Sequence, residues 1–125
     1  MKKAIPFVIA ILLTIALGIC LFILFRYPVA YSELLISAEA EGVTVYTVPH
    51  DDLQKIDGTF AYDLYGLYCP GDKVIYIDDD AICPVDVLAH EMGHHYAITY
   101  EDDRSESRAE EIAHELIFIG KYKAP

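Results

Sequence analysis

The chain has 125 residues, 54% of them hydrophobic, and sets 20 acidic residues against nine basic ones for a formal charge of −11. That length supports one domain and one core, and the acidic excess disfavours binding to nucleic acid or to anionic lipid. A cationic substrate stays open, although acidity also keeps any small domain soluble.

Met1, Lys2 and Lys3 precede Ala4 to Phe25, 22 residues without a charge. As a helix this run covers about 33 Å, against a hydrocarbon core of about 30 Å; a cleavable signal has an apolar region of only about 7 to 15 residues. Cleavage fits poorly, because Pro28-Val29-Ala30 is a weak small-residue pattern and bulky Ile19 stands beside Cys20. The reading is an uncleaved membrane anchor over residues 1–26 and one domain over residues 27–125. Lys2, Lys3 and the amino terminus outweigh Arg26, which predicts a single-pass protein of the cell membrane with its N-terminus in the cytoplasm and its domain outside. All 20 acidic residues fall in that domain, against six Lys and Arg, for a formal charge of −14.

Ser32 to Glu41 reads as a short amphipathic helix stopped by Gly42. Val43 to Val48 alternates β-branched and aromatic residues before Pro49, the pattern of a half-buried strand. His50 reads as a surface residue near a turn, and Asp51 to Ile56 as a helical turn before Asp57-Gly58. Ala61 to Cys69 and Lys73 to Ile77 are two further strands, joined as a hairpin through Pro70-Gly71-Asp72. Asp78-Asp79-Asp80 and Glu101-Asp102-Asp103 lack the spacing and glycine of a calcium loop and read as solvated segments. Cys69 and Cys83 could close a loop of about 15 residues as a disulfide if the domain is extracytoplasmic.

His90-Glu91-Met92-Gly93-His94 carries the chemistry. On a helix His90 and His94 lie one turn apart on one face, where both imidazoles reach one tetrahedral zinc ion, and Glu91 beside them can take a proton from a water that the metal acidifies. In a chain of this composition the pattern arises by chance roughly once or twice in a hundred shuffles, so context has to support it. It does: Pro84 suits a first helical turn, and no proline interrupts the stretch through Tyr100. A last helix, Ser105 to Tyr122, has Ala109, Ile112, Ala113, Leu116 and Ile119 on its inner face. It should supply the third ligand. Glu106 leads, because Ala109 permits close packing there; Glu110 follows, and His114, Glu111, Asp102 and Asp103 remain open. Gly93 reads as a packing position, and His95, Tyr96 and Tyr100 as candidate oxyanion donors.

The predicted architecture is α+β: an N-terminal helix, a small, mostly antiparallel three-stranded sheet, the HExxH helix and a C-terminal helix, a minimal zincin-like domain behind one transmembrane helix. The pattern HExxHxxGxxH of metzincins is excluded, since Ala97 and Tyr100 stand at its last two fixed positions. From about Tyr31 to Ile117 the chain resembles the ImmA/IrrE-type metallo-endopeptidases. The likeness rests on Gly42-Val43-Thr44-Val45, Tyr65-Gly66-Leu67-Tyr68, Val74-Ile75-Tyr76-Ile77, Leu88-Ala89-His90-Glu91-Met92-Gly93-His94-His95, and the ExxA stretch from Glu106 to Ile117. The resemblance implies zinc held by His90, His94 and Glu106, Glu91 as general base, and a protein or peptide substrate. It departs at Ile112, where phenylalanine is usual, and at the membrane anchor, since such proteins are usually cytoplasmic and often cleave a paired repressor; that role does not carry over. Two other functions stay open: a catalytically silent membrane-tethered binding or immunity module on the same scaffold, and a zinc hydrolase acting on something other than peptides.

Overall fold

A computed structural model describes residues 4–57 and 65–125. Its element order is α1 (Ala4–Ala40), β1 (Thr44–Val48), α2 (His50–Asp57), β2 (Gly66–Cys69), β3 (Val74–Asp78), α3 (Pro84–Tyr96), a π-helical turn (Ala97–Glu101) and α4 (Glu106–Ile119). The protein is therefore α+β, as the sequence predicts; positions 58 and 61–64 of the expected turn and second strand lie outside the described residues.

The N-terminal half departs from expectation. One helix runs unbroken through Arg26 and Pro28, joining the apolar segment to the helix expected after it. At 37 residues it is about 55 Å long. Its first part, Ile5–Leu24, is long and apolar enough to cross a membrane and has none of its surface buried in the protein. Its last part buries Leu34 and Ala38 in the core. A proline inside a helix costs about 3 kcal/mol, and the packing of the distal turns holds the helical path beyond it. Gly42, at φ 71°, ends the helix, and the amide of Val43 turns back to the Ala38 carbonyl at 2.8 Å.

The sheet is mixed, and not mostly antiparallel. Its order is β1-β3-β2, with β1 parallel and β2 antiparallel to the central β3. The Pro70-Gly71-Asp72 hairpin forms as predicted, whereas β1 reaches β3 only after the chain has passed through α2 and β2, and that crossover makes the pair parallel. Ile75 and Ile77 point into a core completed by Leu88, Ala89 and Met92 of α3 and by Ile112, Ala113 and Leu116 of α4. Ile119, expected inside, is exposed at the end of α4, next to the left-handed cap at Gly120.

Cys69 and Cys83 are not joined by a disulfide. Gly66 abuts Val87 and Glu91 while Tyr68 meets His95, so α3 runs alongside β2 in the same direction. Cys83, before the first turn of α3, and Cys69, last in β2, therefore stand at opposite ends of the pair, beyond the roughly 7 Å that a disulfide spans between Cα atoms.

Candidate metal centre

His90 and His94 project from one face of α3, their ring centroids 4.8 Å apart. The third group comes from α4, and Gly93 explains how it gets there. A Cβ on Gly93 would lie 2.1 Å from the Ala109 carbonyl oxygen, so the two helices touch backbone to backbone at this pair. Glu106 sits one turn before Ala109, at the start of α4, which Ser105 caps by accepting from the Arg108 amide. The resulting separations are 3.1 Å from His90 Nε2 to Glu106 Oε2, 3.1 Å between the two Nε2 atoms, and 3.4 Å from His94 Nε2 to Glu106 Oε1. Ligand bonds of about 2.0–2.1 Å in a tetrahedron require edges of roughly 3.3 Å, so the donor set and its spacing fit zinc.

Glu91 lies beside these groups, not among them. It is buried at 7% exposure, and Gly66 of β2 covers it so closely that a Cβ there would lie 2.9 Å from its Oε1. Burial raises its pKa to about 7; the Tyr68 main-chain amide, donating to the carboxylate, opposes the rise, and the charge of Glu106 adds to it. A carboxylate in that range exchanges protons near neutral pH. Burial lowers the pKa of His94, partly offset by Glu106, and so favours the neutral imidazole a metal needs.

The other candidates are placed elsewhere. Glu110 is exposed and outside the cluster, Glu111 pairs with Arg108, His114 lies against Phe118, and Asp103 accepts from the Ser105 amide. Asp102 takes the left-handed conformation that ends the π-helical turn. The three expected oxyanion donors do not face the cleft. His95 is fully buried, accepting from the Tyr68 hydroxyl at Nδ1 (2.8 Å) and donating from Nε2 to Glu41 (3.3 Å), and Tyr100 donates to the same carboxylate. Burial lowers the pKa of His95, so it serves as a neutral tie between α3 and the end of α1. Tyr96 is buried against Tyr122, their ring centroids 4.5 Å apart.

His50 also differs from its sequence reading. Its Nδ1 pairs with Asp78, which is 1% exposed and also accepts from the Asp80 amide. Asp78 is thus not part of a solvated segment, while Asp79 and Asp80 are exposed. Neither partner carries a local signal of this pairing, because 28 residues separate them.

The His90, His94 and Glu106 cluster and Glu91 floor a cleft of about 360 Å³. Gly66, Leu67 and Tyr68 of the edge strand β2 make one wall; Ile98, Arg104 and Glu106 make the other. No family model matches this chain, and comparison with curated proteins and with solved structures gives no match either.

Proposed function

We propose that this protein is a membrane-anchored zinc metallo-endopeptidase of ImmA/IrrE-like, zincin-type design. The observation that carries the reading is the convergence of His90, His94 and Glu106 from two helices at tetrahedral edge lengths, with buried Glu91 alongside. A zinc ion held there would supply the electrophile that acidifies water and polarises a peptide carbonyl. Glu91 accepts the proton of the attacking water and passes it to the departing amine, so one carboxylate acts as base and then as acid. Burial under β2 keeps that carboxylate from pairing with bulk water, and Gly66 lets the strand approach it. The main chain of β2, at the edge of the sheet, offers hydrogen-bonding groups to an extended peptide.

Helix α1 supports the anchored half of the reading, with Ile5–Leu24 in the bilayer and, from the lysines at the N-terminus, the domain outside the cytoplasm. Glu41 bonds to His95 and Tyr31 shares a groove with Val85, so α1 and α3 run side by side and Glu91 is level with about Ser37. That sets the cleft roughly 20 Å beyond the apolar segment along the helix axis.

The test uses the full chain in detergent or nanodiscs. Glu91→Gln should bind one zinc per chain and lose peptide hydrolysis by at least about a hundredfold. Glu106→Ala should lose zinc, and Glu110→Ala should not. Unchanged biological activity in Glu91→Gln would favour a binding or immunity module instead, and the absence of stoichiometric zinc in the wild type would end the proposal.

A further inference from the structure

The domain is strongly acidic, and of its two arginines one is neutralised. Arg108 is held by both oxygens of Glu101 at 2.7 Å and by Glu111 at 2.9 Å. Arg104 is different. It is an exposed side chain in the wall of the cleft, and among the described residues it makes no hydrogen bond or ion pair. Three carboxylates close to it in sequence are engaged elsewhere, Asp103 with the Ser105 amide, Glu101 with Arg108 and Tyr122, and Glu106 with the two histidines, while Asp102 is exposed and is not among the residues lining the cleft.

The backbone under Arg104 is fixed on both sides. Asp102 is left-handed at φ 52°, the Asp103 amide donates to the Ala97 carbonyl at 3.0 Å, and Ser105 begins the cap of α4. A guanidinium on so firm a base, with no donor spent on any described residue, is a receptor for an anion. The charge within the cleft agrees. A divalent ion held by His90, His94 and Glu106 would offset the carboxylates of Glu106 and Glu91, and Arg104 is the one Lys or Arg among the described residues lining the cleft. The charge of −14 over the whole domain acts from further away and is screened beyond about 8 Å at physiological ionic strength.

We propose that Arg104 forms an anion-binding subsite of this cleft, seating a substrate carboxylate, either an Asp or Glu side chain or a free C-terminus. It rests on the peptidase reading only for the meaning of the ligand as substrate; the binding itself can be measured without turnover.

The experiment uses the full-length, zinc-loaded Glu91→Gln protein to capture peptides, and the wild type to hydrolyse the same set. One arm holds end-blocked peptides carrying Asp or Glu, Asn or Gln, or Lys at each position; the other holds neutral peptides with free or amidated C-termini. Capture should favour the carboxylate-bearing members of one arm by about fivefold. Arg104→Ala should erase that preference, and Arg104→Glu should turn it towards Lys. In hydrolysis the effect should fall on KM. A preference unchanged in Arg104→Ala, no capture that depends on Arg104, or a loss confined to kcat would overturn the subsite. Arg104-dependent capture without any Glu91-dependent hydrolysis would uphold the subsite and refute the peptidase reading.

Discussion

Gly93 has no room for even a methyl group, because the Ala109 carbonyl oxygen occupies the place where its Cβ would be. Gly93→Ala must therefore push α4 away from α3, at an expected cost of roughly 1–3 kcal/mol in urea unfolding. Since Glu106 is one turn from the contact, zinc affinity should fall in the same variant; a loss of stability with zinc affinity intact would show that the helix contact does not position the ligand. The clustering of His90, His94 and Glu106 beside Glu91 was readable from the sequence, because helical spacing fixes the two histidines and a small-residue pattern marks the close approach of a second helix. Arg104 was not readable. Its significance depends on which neighbouring carboxylates are already paired, and that is a property of the folded surface.

Helix α2 is joined to β3 by the His50–Asp78 pair, an element contact with its own pH signature. The hydrogen bond His50 donates to Asp78, helped by the charge of that carboxylate and opposed by burial, raises the His50 pKa above 6.5. The folded chain therefore holds that proton more tightly than the unfolded one. Its stabilising effect is complete below about pH 6.5 and is lost as the pH rises through the raised value. His50→Gln should accordingly lower stability more at about pH 5.5 than at about pH 9 in denaturant titrations, and equal losses would rule out a charged pair. The elements themselves were well anticipated: Pro84 opens α3, Gly42 ends α1, and the β2–β3 hairpin forms around Pro70-Gly71-Asp72. The parallel pairing of β1 was missed, as strand propensity says nothing about which neighbour a strand will find.

At the scale of the molecule, α1 does two jobs with one continuous helix: its apolar first part is suited to a bilayer and its distal turns complete the core with Leu34 and Ala38. A fragment of residues 31–125 should leave the membrane fraction yet unfold cooperatively and bind zinc, while residues 43–125 should lose at least about 2–5 kcal/mol with Leu34 alone. Zinc binding by the shorter fragment equal to that of the longer would show that α1 is only a tether. The sequence by itself determined most of the elements, the apolar segment and the residues that converge as a candidate ligand set, because each is written in spacing that repeats within one or two turns. Only the tertiary structure decided the mixed sheet, the unbroken α1, the separation of Cys69 from Cys83, and the burial of His95 and Asp78 against Glu41 and His50. Those depend on contacts between segments far apart in the chain, where packing and desolvation of the assembled core outweigh local preference.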